Sequence, residues 1–135
     1  MTIANTCVLV AALLPATTMF LAKASSSTVK PRDGGYDNNR PREWMNTLQG
    51  WKARAAAAHT NGYEILALFV FAVLAAQQAG LDQTRTDHLA LAFIAARVVY
   101  TALYLANVGA LRTLVWVVGV GILIAMFSPT LTLAL

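Results

Sequence analysis

The chain has 135 residues, of which 58% are hydrophobic and 12% charged. A soluble domain carries about twice that charged fraction, which excludes an ordinary water-soluble fold and points to a polytopic membrane protein of one domain. Net charge is +4, but the basic residues gather in one loop without an aromatic stacking platform, which excludes nucleic acid and favours anionic lipid.

The first apolar segment runs from about Ile3 to Ala22 and contains Pro15 and the lone cysteine, Cys7. One cysteine permits no intrachain disulfide, and within a helix it reads as packing. Pro15 removes a backbone donor and predicts a kink. The stretch "FLAKASSS" looks like a signal-cleavage site, yet "MTIANT" before the apolar run has no Lys or Arg. Secretory signals carry positive charge there, so the segment is retained as a membrane helix.

Residues 23–54 form the long polar stretch, with Lys23, Lys30, Arg32, Arg40, Arg42, Lys52 and Arg54 against Asp33, Asp37 and Glu43. Its Ser, Gly, Pro and Asn content predicts turns and extended pieces. Trp44 and Trp51 in this stretch read as an interfacial flank in preference to ligand contacts. The second apolar segment spans about Ala55 to Ala79, the third about His88 to Ala106, and the fourth about Thr113 to Leu135. Each can satisfy its backbone polar groups in a bilayer only as a helix, so a bundle of four transmembrane helices is expected. The link "GLDQTRTD" holds Arg85 between Asp82 and Asp87, whereas Arg112 follows "NVGAL". The excess of Lys and Arg then places the long loop and the third link in the cytoplasm and both termini outside.

Polar side chains fall on faces of these helices. Arg54, Asn61 and Glu64 share one broad face of the second helix, because seven residues make about two turns. Arg97, Tyr100 and Tyr104 share a face of the third, and Arg112 opens the fourth. His59 points away from Asn61. Two readings are open: a Glu64–Arg97 ion pair that holds the bundle together, or a polar ligand site between helices near one leaflet. Three arginines with tyrosines and an amide suit an anionic, peptide-like molecule, because arginine offers paired hydrogen bonds to carboxylates. His59 and His88 have no metal-ligand partner set, so no metal site is expected. Gly119 and Gly121 read as close helix packing, as do Ala75, Ala76, Ala95 and Ala96.

With "AHTNGYE" on the second helix, "ARVVYTALYLA" on the third and "LRTLVW" entering the fourth, nearly the whole chain resembles the MAPEG family, the membrane-associated proteins in eicosanoid and glutathione metabolism. The stretch "YDNNRPREWMNTLQGWKARAAAAHTNGYE" looks most like its uncharacterised bacterial branch. The resemblance implies a MAPEG-like homotrimer in the bacterial inner membrane with ligand sites between subunits. It also implies glutathione as co-substrate and a lipophilic small molecule as second substrate. Asn61, Glu64, Arg97, Tyr100 and Tyr104 match positions that line the glutathione site in that family. Arg112 corresponds to the arginine that stabilises the thiolate.

One departure stands out. Glutathione-binding members commonly read Arg-Ala-x-x-Asn-x-x-Glu, and here the first position is Ala57. Arg54 lies three residues earlier, ~4.5 Å along the axis and rotated by about 60°. A long guanidinium stem could cover that gap.

The leading expectation is a glutathione-dependent transferase or peroxidase acting on a lipophilic electrophile that enters from the bilayer. The alternative is a non-enzymatic lipid-binding or scaffolding protein, since the family includes such a member and fold alone does not fix activity. A transporter is disfavoured by four short helices per subunit and the absence of an inverted repeat.

Overall fold

The computed structural model describes residues 1–133, with side chains through residue 128; the last two residues of the fourth expected span lie outside the described residues. Five α-helices appear in chain order: α1 Ile3–Ala24, α2 Pro41–Asn46, α3 Gly50–Gln78, α4 Gln83–Leu105 and α5 Gly109–Leu133. Four of them, α1, α3, α4 and α5, are long and apolar enough to cross a membrane. The chain is an all-α membrane protein built as a four-helix bundle.

The helices differ from the sequence expectation mainly at their starts. α3 begins at Gly50, before the expected Ala55, so Trp51, Lys52 and Arg54 belong to the helix and not to the loop. α4 begins at Gln83 and α5 at Gly109, which shortens both links. The reason is local. Asp82 caps α4 by accepting from the Arg85 amide at 2.9 Å, so the polar run "QTRTD" is its first turns. α3 ends with Gly80 at φ +71° and a hydrogen bond from Leu81 N to Ala76 O at 2.9 Å. Asn107 does the same for α4, at φ +63°, with Val108 N donating to Leu103 O at 3.0 Å. Left-handed residues of this kind stop a helix abruptly and satisfy its last carbonyls.

α3 and α4 form the centre, with α1 and α5 packed on either side of the pair. The core lies where small and aromatic side chains interleave: Ala72, Ala76 and Ala90 are fully buried around Phe69 and Phe93. Those two rings stack, with centroids 4.2 Å apart. Cys7 is buried in this core, in keeping with a packing role. Ala76 also lies in it, whereas Ala95 is on the outside. Gly119 is buried beside Phe93, with ordinary contact distance left for a Cβ, and Gly121 has open space where a side chain would be, so of these two only Gly119 lies at a packed surface.

α1 runs through Pro15 without leaving α-helical geometry. Its pyrrolidine ring rests on α3 at Gly62, where a Cβ would lie 2.5 Å from Pro15 Cγ and 2.9 Å from Pro15 Cβ. Glycine is required there for the two helices to approach. At the opposite end, Ala4 N donates to Asp87 Oδ1 at 2.8 Å, which ties the start of α1 to the start of α4. The apolar surface is turned outward, as at Leu13, Phe20, Phe71 and Leu114. Such an exterior suits hydrocarbon and not water.

The long loop contains a short 3₁₀ turn, Pro31–Asp33, and α2. Trp44 is 5% exposed, so its ring is packed inside the chain and not presented outward as an interfacial flank would present it. Its indole N–H donates to Gly34 O at 3.3 Å and its ring meets Tyr36 edge-on. It is the anchor of the loop's own small core with Met19, Ala22, Ala55 and Ala56. Trp51, by contrast, remains exposed.

Candidate functional site

The polar faces predicted on α3 and α4 meet in the half of the bundle next to the long loop. Arg97 enters from α4 and is only 6% exposed. An arginine so deep in a membrane helix must find partners, because water is not there to solvate it. Its Nη2 donates to Asn61 Oδ1 at 2.9 Å. Asn61 in turn donates from Nδ2 to Glu64 Oε2 at a long 3.5 Å. The direct Glu64–Arg97 ion pair, one of the two readings left open, is absent among the described residues. Both ion pairs among the described residues lie in the loop, and Glu64 is exposed. Asn61 stands between the two charges because an amide can accept from a cation and donate to a carboxylate at once.

From Arg97 a second chain of contacts runs outward. Its guanidinium lies over the Tyr100 ring, 4.2 Å from the centroid. Tyr100 meets Tyr104 edge-on at 5.6 Å, and Arg112 from α5 lies over the Tyr104 ring at 4.2 Å. The order is cation, ring, ring, cation. Each cation–ring contact contributes roughly 0.5–2 kcal/mol, more where water is excluded. The i, i+3, i+7 spacing on α4 makes this possible, since those positions stack along one face.

Tyr100, Tyr104 and Arg112, with Thr113 and Trp116, line an open hollow of about 230 Å³. The sequence reading omitted Thr113 and Trp116. Trp116 is one turn beyond Arg112 and falls on the same face of α5, a signal the spacing already carried. Arg97 lies behind Tyr100 and also borders a water-sized internal gap beside Pro15, Gly62 and Thr101.

Arg54 is placed elsewhere. Its Nε donates to the carbonyl of Leu105 at 3.1 Å, at the end of α4. A cation there meets the negative end of the helix and one of its unsatisfied carbonyls. Ala57, one turn on, contributes no polar group. His59 faces α1, with Nδ1 2.9 Å from Pro15 O. Since a carbonyl only accepts, Nδ1 carries the proton. His88 is exposed at the other end of α4. Among the described residues, no three His, Cys, Asp or Glu side chains cluster as metal ligands would.

The arrangement thus brings Asn61, Glu64, Arg97, Tyr100, Tyr104 and Arg112 into one connected network and leaves Arg54 at its edge. Two guanidinium groups and two phenols offer donors to an anion, on a helix face whose neighbours are apolar. No curated protein matches the chain. The model of the MAPEG family matches residues 6–132, and the chain belongs to that family.

Proposed function

We propose that the protein is a glutathione-dependent transferase or peroxidase acting on lipophilic electrophiles. The observation that carries this reading is the Arg97–Tyr100–Tyr104–Arg112 ladder, which sets the half-buried Arg112 at an open hollow of about 230 Å³. Glutathione would lie with its carboxylates toward arginine and its ammonium group toward Glu64. Arg112 would favour the charged form of the thiol, and the thiolate is the nucleophile. In a transfer, sulfur attacks an electrophilic carbon, the S–C bond forms, and the leaving group departs with its electron pair while the thiol proton goes to water. In a peroxidase cycle, the thiolate attacks a hydroperoxide oxygen and breaks the O–O bond. Proton uptake then gives the alcohol and a sulfenic acid, which a second glutathione converts to disulfide and water.

The hollow is smaller than the ~300–1,000 Å³ of usual ligand sites, and it is open on one side. A neighbouring subunit in a homotrimer would close it. The same reading sets the protein in the bacterial inner membrane, with the long basic loop and the hollow on the cytoplasmic side and both termini outside. Calorimetric titration of the purified protein with glutathione, against an Arg97→Ala control, tests the binding. Turnover across a panel of apolar electrophiles and hydroperoxides tests the chemistry. Binding abolished by the control supports the reading, and absence of both binding and turnover in the wild type refutes it.

A second reading, a non-enzymatic lipid-binding or scaffolding protein, is favoured by Ala57 and by the engagement of Arg54 with Leu105. It retains the network for assembly only. Trimers that form normally but bind no thiol would support it.

A further inference from the structure

Inside the bundle, the gap beside Arg97 lies where a backbone carbonyl has lost its usual donor. Pro15 stands within α1 and has no N–H, so Ala11 O, one turn earlier, lacks the partner that an α-helix ordinarily supplies. Ala11 and Pro15 share one face of α1, are both buried, and both line the gap. The hydroxyls of the next turn donate elsewhere, Thr17 to Leu14 O at 2.7 Å and Thr18 to Pro15 O at 2.8 Å. His59 Nδ1 also meets Pro15 O, at 2.9 Å. The carbonyl of Pro15 is thus served twice, and none of these donors reaches Ala11 O. A proline is tolerated in a membrane helix when a neighbouring group or an ordered water takes over the freed carbonyl.

The rest of the gap supplies what a water needs. Its volume is about 10 Å³, room for the centre of one water molecule. Its lining is apolar apart from Arg97 and Thr101. A guanidinium has several N–H donors, and among the described residues that of Arg97 makes one hydrogen bond, to Asn61 Oδ1. Thr101 gives its hydroxyl proton to Arg97 O at 2.8 Å, and its oxygen still has a lone pair with which to accept. One donor and two acceptors therefore border a space of the size of a water. We infer that one water molecule binds in this gap, accepting from the Arg97 guanidinium and donating to Ala11 O and Thr101 Oγ1. About three hydrogen bonds is the usual complement of a buried water. The water joins α1 to α4 and gives Arg97 a second partner besides Asn61. Pro15 is then a positioning residue for that arginine, because the carbonyl it frees holds the water. Every partner comes from one chain, so the site depends neither on a neighbouring subunit nor on the thiol chemistry proposed above.

Diffraction and a double-mutant cycle test this together. A crystal structure of the wild type grown in a lipid mesophase, at a resolution that shows ordered water elsewhere in the bundle, should carry a density peak within hydrogen-bond distance of Ala11 O, Thr101 Oγ1 and an Arg97 nitrogen. Absence of the peak would overturn the inference. Thr101→Val is close in shape and removes one acceptor, so the peak should weaken or vanish while Arg97 stays on Asn61. Pro15→Ala returns an N–H to Ala11 O, and the peak should be lost as the helix hydrogen bond forms. A peak unchanged in Pro15→Ala would mean that the freed carbonyl does not hold the water. The folding equilibrium in mixed micelles gives the second readout. Thr101→Val should lower it by about fivefold more in the wild type than in Pro15→Ala, where the water has already lost its place. The bond from Thr101 to Arg97 O is lost in both backgrounds and cancels in the cycle. Equal effects in the two backgrounds would overturn the inference. An undiminished peak in Thr101→Val would do so even if Pro15→Ala failed to fold.

Discussion

Replacing Asn61 by leucine separates the relay described above from a direct ion pair. Arg97 is 6% exposed and places Nη2 2.9 Å from Asn61 Oδ1, a normal charge-assisted hydrogen bond. A hydrogen bond to a charged group contributes about 1.5–3 kcal/mol, so Asn61→Leu should cost on that scale. The stacked Tyr100 ring remains and limits the loss. Asn61→Leu with Arg97→Met removes both partners, and replacing a buried polar pair by apolar groups of similar shape is often nearly neutral. The double variant should therefore recover most of the lost stability. Glu64→Gln should change stability by less than about 0.5 kcal/mol, because its contact with Asn61 is 3.5 Å long and exposed. Equilibrium unfolding in mixed micelles, with helicity as the signal, measures all three. A direct Glu64–Arg97 pair would make Glu64→Gln as harmful as Asn61→Leu, and that result would refute the relay. So would a double variant no more stable than the sum of its parts.

Other consequences can be measured on the same material. Gly62→Ala should destabilise by about 1–3 kcal/mol through overpacking on Pro15, and Pro15→Ala should recover part of it by removing Cγ; simple additivity in a double-mutant cycle would deny the contact. Asp87→Ala should cost about 1 kcal/mol, since it removes the acceptor for Ala4 N; unfolding in micelles reads it directly. Arg112→Ala should greatly reduce turnover while leaving thiol affinity mostly intact, with partial rescue by lysine, and equal loss of affinity would move Arg112 from the reactive state to ground-state binding. Arg54→Ala should lower stability by about 0.5–1.5 kcal/mol through the lost bond to Leu105 O; a drop in glutathione affinity with unchanged stability would mean that Arg54 serves the ligand.

Much of this arrangement is legible in the sequence. The number of membrane-spanning helices follows from length and apolarity alone, because a bilayer leaves no other way to satisfy the backbone, whereas the short α2 inside the loop does not. The faces on α3 and α4 follow from spacing, so the meeting of Asn61 with Arg97 is no surprise. What spacing does not carry is which partner an arginine takes across a helix boundary. Glu64 has the charge, but Asn61 has the reach, and the outcome depends on relative rotation of α3 and α4, set in part by Phe69 on Phe93. Trp44 escaped for a different reason. An isolated tryptophan near a membrane boundary suggests an interface, whereas its burial depends on a loop folding back to offer Gly34 O. The early start of α3 also depends on tertiary contact: Lys52 Nζ donates to Ser26 Oγ at 2.8 Å and Arg54 reaches α4, so two cations in its first turns are held by partners distant in sequence.

The position of Arg54 bears on how such a site could tolerate Ala57. A ligand carboxylate needs a guanidinium aimed at it, and at Ala57 there is none. Arg54 commits Nε to Leu105 O, which fixes the plane of its guanidinium at the end of α4. That carbonyl lies one residue beyond Tyr104, whose ring carries Arg112. A change at Arg54 is thus transmitted to the hollow through the end of α4 and the three-residue link Ala106–Val108 between α4 and α5. Moving the cation, as in Arg54→Ala with Ala57→Arg, separates positioning from contact. If the arginine acts by holding α4, the move restores no stability, because position 57 is displaced by ~4.5 Å along the α3 axis from position 54, which reaches Leu105 O. If it acts on the ligand, the move restores or raises affinity. The structure favours the first, since Arg54 already has a partner and the hollow is lined without it.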